Sequence, residues 1–297
     1  MVDFSKIKTI PISHRKNKFL IKDLIPINKQ QNFTSKEIDK LAEEITKANK
    51  SGKKIIIMMG AHVIKVGCSL FIIELMKKGI LKHIAMNGAG SIHDFEIALI
   101  GATSEDVATN IEDGTFGMAE ETGKLVNDAI KEGTKAGIGY GKAIGKKISD
   151  MDLKYKKYSI YYWAYKLNIP LTVHAAIGTD IIYQHPGCDG AAIGKASYDD
   201  FKSFTDSVSG LEKGVLLNIG SAVILPEVFL KALTVARNLG YKVEMFTTAN
   251  LDMTKHYRPT VNVVERPTSL GGKGYQIIGR HEDTVPYLYR KIKEGLK

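Results

Sequence analysis

The chain has 297 residues, of which 44% are hydrophobic and 25% charged, and it carries a formal net charge of +10. This composition is that of an ordinary globular protein with one large or two small domains, and it excludes a disordered chain. The lysines are spread along the whole sequence, without the aromatic and glycine pattern of an RNA-binding sheet. We therefore expect no nucleic-acid partner.

Features of targeting and redox chemistry are sparse. The two cysteines, Cys68 and Cys188, lie far apart, and neither has the spacing of a zinc site or a disulfide framework. The N-terminal residues contain no apolar segment typical of a signal peptide. No run of about 18 apolar residues predicts a membrane span. We expect a cytoplasmic protein that does not enter a membrane.

The first part of the chain is predicted to be an extension. Residues 1–35 have an extended, irregular pattern, and Thr34 or Ser35 can cap a first helix over residues 35–50. We assign residues 1–50 to this N-terminal extension and first helix, and residues 51–297 to one α/β domain.

From residue 53 onward, short apolar runs alternate with amphipathic helical patterns. The runs predict buried strands over residues 53–60, 81–87, 169–176, 213–220, 241–249 and 275–280. Helices are predicted over residues 63–79, 91–102, 118–137, 158–168, 199–212, 222–240 and 283–296. This alternation predicts a Rossmann-like α/β fold, a parallel sheet with helices on both faces and right-handed crossovers.

Ligands of such a sheet bind beyond the carboxyl ends of its strands. The loops that follow predicted strands are residues 60–62, 87–90, 176–186, 220–222 and 247–252. Small residues in three of them would let backbone N–H groups approach a phosphate or ribose at a helix N-terminus. The stretch Asn87-Gly88-Ala89-Gly90 is an incomplete dinucleotide motif, and a tight turn without a ligand is the alternative interpretation.

Polar residues beside these loops are candidates for chemistry. Asp180 and Asp252 could bind ribose hydroxyls or a cationic substrate, or could be surface or capping residues. His93, near the start of its helix, is a candidate acid/base or ligand-stacking group, or it pairs locally. The other loop and strand-end histidines have no metal-ligand spacing, so we predict no metal site. These histidines are His62, His174 and His185.

The glycine-rich segment 268–276 contains Lys273 just before the last predicted strand. A lysine in a desolvated site can act as an amine nucleophile and form an imine with a carbon electrophile. The alternative is a flexible, solvated loop.

The order of these motifs resembles the deoxyhypusine synthase family. The stretch "IAMNGAGSIHDFEIALIGAT" resembles the family's strand, glycine turn and following helices, and "IGTDIIYQHPG" resembles its strand-end segment with an aspartate. Two later stretches, "KGVLLNIGSAVILPEVFLKAL" and "FTTANLDMTKHYRP", are similar to the family's next strand-and-turn segments. The likeness extends over residues 50–290 in order and spacing.

The resemblance implies a homotetrameric enzyme that uses NAD to oxidise spermidine or a related amine. The alkylamine group would then pass through a lysine imine to a lysine of an acceptor protein. Lys273 would be the nucleophile, His93 the acid/base or orienting group, and Asp180 the residue that holds the amine. The residues that would face the NAD are Asn87, Gly88, Ala89, Gly90, Thr248, Ala249 and Asp252.

The sequence also departs from the family's pattern. Ile92 and His93 stand where the family has paired glutamates, and Leu225 and Pro226 lie near the place of an expected histidine. The family's tryptophan before the nucleophilic lysine is missing. Two alternatives therefore stand beside the predicted enzyme. One is an NAD-binding or nucleotide-binding protein without catalysis, and the other is the same chemistry on a different amino or guanidino substrate.

Overall fold

The protein is described by a computed structural model over residues 2–29 and 32–297. Residues 1, 30 and 31, which belong to the predicted extension, lie outside the described residues. The strands are β1 (Asn17–Leu20), β2 (Ile55–Met59), β3 (His83–Asn87), β4 (Ala102–Glu105), β5 (Leu171–His174), β6 (Val215–Ile219), β7 (Thr247–Asp252) and β8 (Lys273–Ile278).

Helices connect these strands. They are α1 (Lys36–Lys50), α2 (His62–Lys65), α3 (Ser69–Lys77), α4 (Gly88–Ile100), α5 (Val107–Asn110), α6 (Glu120–Lys135), α7 (Tyr140–Asp150), α8 (Ile160–Lys166), α9 (Gly190–Ser209), α10 (Ile224–Asn238), α11 (Tyr257–Pro259) and α12 (His281–Gly295). A π-helical segment, Thr260–Glu265, follows α11.

Six strands form one parallel sheet in the order β5-β3-β2-β6-β7-β8. Counted along the chain, these strands stand in the order 3-2-1-4-5-6, which is the order of the doubly wound Rossmann fold. The direction of winding reverses between β2 and β6, and such a reversal opens a crevice for ligands at the carboxyl ends of the strands. The predicted fold class is confirmed.

Strand β2 shows why the sequences of these strands are continuous apolar runs. Its five residues are all buried. Ile55, Ile57 and Met59 belong to the core on one face of the sheet, and Ile56 and Met58 belong to the core on the other. Because successive side chains of a strand point to opposite faces, a strand covered on both faces must be apolar throughout.

The predicted first helix is α1, and it is part of the same core. Ser35 caps it, because the Ser35 Oγ accepts a hydrogen bond from the Ile38 N–H at 3.3 Å. The Tyr287 hydroxyl of α12 donates to Asp39 Oδ1 of α1 at 2.7 Å. Ile38 and its neighbours on α1 pack into the hydrophobic core beside the sheet.

Two predicted boundaries near the ligand loops are wrong. Helix α4 begins at Gly88, so residues 88–90 form the first turn of a helix rather than a loop. Strand β7 covers residues 247–252, so the loop predicted there is itself the strand.

The start of β7 is shifted because side chains hold the backbone before it. Arg237 donates from Nε and Nη2 to the Val243 carbonyl oxygen at 3.0 and 2.8 Å. The Glu212 carboxylate accepts the N–H groups of Glu244 and Met245 at 2.7 and 3.0 Å. Backbone groups that are bound in this way cannot join the sheet, although the sequence there has a strand-like pattern.

Strands β1 and β4 form a small antiparallel sheet that the sequence analysis did not predict. Phe19 lies opposite Thr103 in this pairing. The sequences "NKFL" and "ATSE" carry no apolar run, so nothing in their pattern separates them from loops. This pairing holds the N-terminal segment against the residues that follow α4.

Candidate functional site

The carboxyl ends of the parallel strands meet at one edge of the sheet, here called the carboxyl edge. Strand β3 ends there at Asn87, β5 at His174 and β7 at Asp252. Strands β2 and β6 end just before Gly60 and Gly220. The opposite edge, where the strands begin, is called the amino edge.

His93 lies on the second turn of α4 and is partly exposed. Its Nδ1 is 2.7 Å from the Thr103 Oγ1, and this hydroxyl donates to Glu96 Oε2 at 2.6 Å. Burial lowers the pKa of His93 to about 4, opposed by the charge of Glu96 and assisted by those of Lys65 and Arg15. The ring is therefore neutral near pH 7, and its orientation is held by Thr103.

Asp180 lies over the N-terminus of α4. A Cβ on Gly88 would overlap the Asp180 Oδ2 and come within 3.5 Å of the Tyr183 hydroxyl, so a larger residue here would displace the Asp180 carboxylate. Burial raises the pKa of Asp180 to about 6, and the nearby Tyr183 hydroxyl and Ala89 N–H oppose the rise. Within the described residues, neither Asp180 Oδ2 nor the Tyr183 hydroxyl has a hydrogen-bond partner of good geometry. The carboxylate is thus packed against the helix that was expected to receive a phosphate.

The first turn of α4 is capped from within the chain. Asn87 Oδ1 accepts the Gly90 N–H at 3.2 Å, and the Ala89 N–H faces Asp180. A helix N-terminus binds anions through such free N–H groups. Asn87 occupies one of these groups, and an anion at the others would meet the Asp180 carboxylate, so the residues from Asn87 to Gly90 favour a phosphate less than the sequence indicates.

Two histidines meet where the winding reverses. The rings of His62, after β2, and His281, at the start of α12, lie edge to face with centroids 5.5 Å apart. A Cβ on Gly60 would overlap the Gly220 carbonyl oxygen, and a Cβ on Gly220 would lie 2.7 Å from the His281 ring. The two loops therefore approach each other backbone to backbone beside the histidine pair.

His281 is the residue of this edge that the sequence analysis missed. Its Nδ1 is buried and has no hydrogen-bond partner within residues 2–29 and 32–297, and burial lowers its pKa. The available signal was its position directly after the last predicted strand, the same kind of position that singled out His62.

The predicted cofactor residues of β7 differ in how close they lie to the carboxyl edge. Thr248 and Ala249 are fully buried within the strand, and Ala249 packs in the core. Asp252 is the last residue of the strand, and its Oδ1 accepts the Met253 N–H at 2.7 Å. Of these three residues, Asp252 is the one at the carboxyl edge.

Beneath this part of the edge, β6, β7 and β8 carry a row of buried polar side chains. Asn218 donates from Nδ2 to Asn250 Oδ1 at 2.7 Å and to the Ser221 carbonyl oxygen at 2.9 Å. Four buried atoms in this row have no hydrogen-bond partner in the described part of the chain: Asn218 Oδ1, Thr248 Oγ1, Asn250 Nδ2 and Gln276 Nε2. Buried polar atoms are rarely left unpaired, so the row marks a place for bound water or a polar ligand group.

Lys273 is at the amino edge, where it is the first residue of β8. Its Nζ pairs with Glu44 of α1, and 58% of its side chain is exposed. The six residues of β8 rise about 3.3 Å each, which separates Lys273 from the carboxyl edge by roughly 17 Å. Within one chain, Lys273 therefore lies at the edge opposite to the start of α4 and Asp180, and its role as nucleophile stays a prediction of the resemblance.

Other types of site find little support. Among the described residues, no group of three or more histidine, cysteine, aspartate or glutamate side chains is placed to hold a metal ion. Cys68 and Cys188 are free thiols. None of the helices in the described ranges has both the length and the apolar character needed to span a membrane.

Comparison with known proteins supports the fold. The sequence matches no protein-family model and no curated protein. Among solved structures, ArgZ, an arginine dihydrolase from the ornithine–ammonia cycle in cyanobacteria, is 15% identical with a TM-score of 0.56. This match covers 89% of the present chain and 34% of ArgZ.

Two further structures extend this result. AgrE, solved as a ternary complex with ornithine and NAD+, is 14% identical with a TM-score of 0.50, over 90% of this chain and 34% of AgrE. A provisionally assigned deoxyhypusine synthase from Entamoeba histolytica is 10% identical with a TM-score of 0.53, over 98% of both chains. The chain thus spans about a third of ArgZ and AgrE. At these identities the likeness shows a shared Rossmann-like fold.

Proposed function

We propose that this protein is an NAD-dependent enzyme that oxidises the amino group of an amino acid or a related amine. The observation that carries the proposal is the position of His93, a partly exposed histidine held by Thr103 on the second turn of the helix that leaves β3 at the carboxyl edge, in a sheet with the Rossmann strand order. AgrE, which shares the fold, was solved with ornithine and NAD+.

We expect the dinucleotide beside the turns after β2 and β6, where the strand order reverses, rather than at the first turn of α4. Gly60 and Gly220 leave backbone rather than side chains where these two turns meet. Asp252 stands at the same edge, where a carboxylate can bind ribose hydroxyls, and its charge acts on His281. We expect Gly60, Gly220 and Asp252 to hold the dinucleotide, whose nicotinamide accepts a hydride when it is bound.

His93 suits an orienting role better than that of a base. When a hydride leaves the carbon of a neutral amine, the nitrogen becomes part of a cationic iminium, and its N–H groups become stronger donors. A neutral imidazole Nε2 can accept such a hydrogen bond, whereas an imidazolium would repel the developing charge. Because the pKa of His93 is about 4, the ring stays neutral but is a poor proton acceptor.

The surroundings of His93 favour a substrate that also carries a carboxylate. Lys65 is exposed and lies close enough for its charge to lower the pKa of His93. Ile92 and His93 replace the acidic residues expected for a polyamine site. An amino acid can present its amine to His93 and its carboxylate to Lys65, whereas spermidine has no anionic group.

Transfer of an alkylamine group through Lys273 does not form part of the proposal. Lys273 is paired with Glu44 at the amino edge and is far from His93 in the same chain. An acceptor protein lysine and a homotetramer remain predictions of the resemblance. Sedimentation of the purified protein would test the second.

The test is reduction of NAD+ by the purified protein with ornithine, lysine, arginine or spermidine, followed at the nicotinamide absorbance band. We expect reduction with an amino acid and little with spermidine. If NAD+ stabilises the protein against heat but no amine reduces it, the chain is instead a nucleotide-binding protein. The missing acidic residues are the observation that favours this second candidate.

A further inference from the structure

A buried chain of polar groups leads from the N-terminal segment to His93. Arg15 and Glu96 are almost fully buried, and the Arg15 Nη1 lies 2.7 Å from Glu96 Oε1. The same carboxylate oxygen accepts the Thr122 hydroxyl at 2.9 Å, and the other oxygen accepts the Thr103 hydroxyl. Glu96 therefore has three donors, including a guanidinium, which is the coordination of a carboxylate anion.

The protons of this chain can be assigned by counting donors. The single O–H of Thr103 is directed to Glu96, so the Thr103 oxygen can act only as an acceptor toward His93 Nδ1, at 2.7 Å. Nδ1 must then carry the hydrogen. In a neutral imidazole the other nitrogen, Nε2, is left as the acceptor.

Arg15 is itself held on several sides. Its Nε and Nη2 donate to Asn17 Oδ1 at 3.0 and 2.8 Å, and its Nη1 lies 3.7 Å from Glu105 Oε1. Arg15 precedes β1, and Thr103 belongs to β4. The pairing of these two strands therefore places Arg15 beside the buried polar side chains around Glu96. An arginine fixed in this way holds the Glu96 carboxylate in one position.

We infer that Thr103, Glu96 and Arg15 are positioning residues that hold His93 as the Nδ1–H tautomer and present its Nε2 to the ligand. The inference deepens the proposed function and rests on it for the identity of the ligand. The tautomer itself follows from the hydrogen bonds alone. No residue in the described part of the chain hydrogen-bonds the Nε2 of His93, which leaves this nitrogen available.

The test uses nitrogen-15 NMR of histidine-labelled protein, with His93 assigned by the signal missing from His93→Gln. In the unmodified protein we expect a protonated Nδ1 and an unprotonated Nε2. Thr103→Val removes the acceptor, so its His93 should shift toward a mixture of tautomers. Thr103→Ser keeps the hydroxyl and should restore the original spectrum.

Kinetics separate this inference from the proposed function. Thr103→Val should lower kcat about tenfold with a smaller change in KM, and Thr103→Ser should recover most of the loss. A protonated Nε2 in the unmodified protein, or an unchanged tautomer in Thr103→Val, would overturn the inference. The predicted tautomer in a protein that oxidises no amine would leave the inference standing and remove the proposed function. If Thr103→Val does not fold, the spectra of the unmodified protein and Thr103→Ser still decide.

Discussion

The polar residues at the two edges of the parallel sheet differ in burial and in the strength of their interactions. Toward the carboxyl edge, His93 and Asp180 are mostly buried and shifted in pKa by burial, and Thr103 fixes the His93 ring. At the amino edge, Lys273 is exposed and paired with Glu44 beside a cavity of about 380 Å³ that further lysines line. Burial strengthens the electrostatic interactions of the residues near the carboxyl edge, whereas water screens the ion pair of Lys273 and Glu44 at the amino edge.

The largest difference between the buried polar group around His93 and the amino edge should appear in stability. Glu96→Ala leaves Arg15 buried without its nearest partner, and we expect a loss of about 3–5 kcal/mol in the free energy of unfolding measured in urea. The matched change at the amino edge, Glu44→Ala, should cost less than about 1 kcal/mol. Equal losses in the free energy of unfolding for the two variants would contradict this difference.

The pH dependence of stability offers the next test. The pKa of Asp180 is raised from 3.8 to about 6 in the folded chain, so its contribution to stability is complete below pH 3.8 and is lost as the pH rises through 6. Asparagine does not titrate, and Asp180→Asn should gain about 2–3 kcal/mol relative to the unmodified protein between pH 4 and 7.

The control for this prediction is Asp199→Asn. Lys195 and Lys202 lower the pKa of the partly exposed Asp199, so its pH dependence should have the opposite sign and a small size. Parallel unfolding curves for Asp180→Asn and the unmodified protein at every pH would show that Asp180 titrates normally.

A smaller effect is expected from Gly88→Ala. The added Cβ would meet the Asp180 carboxylate, which must move away from the N-terminus of α4. We expect a loss of about 1–3 kcal/mol on denaturant unfolding. Gly194→Ala, inside α9 with open space around it, should instead gain about 0.5–1 kcal/mol. If Gly88→Ala also gained stability, Asp180 would not be packed against this turn.

The smallest effect should come from Lys273→Ala. Its ion pair with Glu44 is partly exposed, with 58% of the Lys273 side chain and 22% of the Glu44 side chain accessible, so stability should change by less than about 1 kcal/mol. NAD+ reduction should stay within about twofold of the unmodified rate, because the residue lies far from the carboxyl edge. A loss of turnover with intact folding would return Lys273 to the candidate site.

The sequence predicts the fold well because the fold rests on a repeated pattern. Runs such as Ile55–Met59 are apolar throughout only when helices cover both faces of a sheet. The antiparallel pair β1 and β4 escapes prediction, since its short strands are polar and depend on tertiary contacts. Arg237 and Glu212 likewise displace the start of β7 through contacts that the local pattern does not contain.

The site is less predictable, since its residues are brought together by tertiary contacts. Lys273 was predicted two residues before the last strand and is the first residue of that strand, and both positions lie at the amino edge. His93 was found from its position after the glycine turn, whereas its partners Arg15, Glu96 and Thr103 come from separate segments. No spacing in the sequence connects those segments.

The most direct test of the account compares the unmodified protein with His93→Gln in NAD+ reduction by an amino acid. The account predicts that both proteins bind NAD+, and that His93→Gln loses about a hundredfold in turnover. Equal turnover in the two proteins, or no reduction by the unmodified protein when NAD+ is bound, would contradict it.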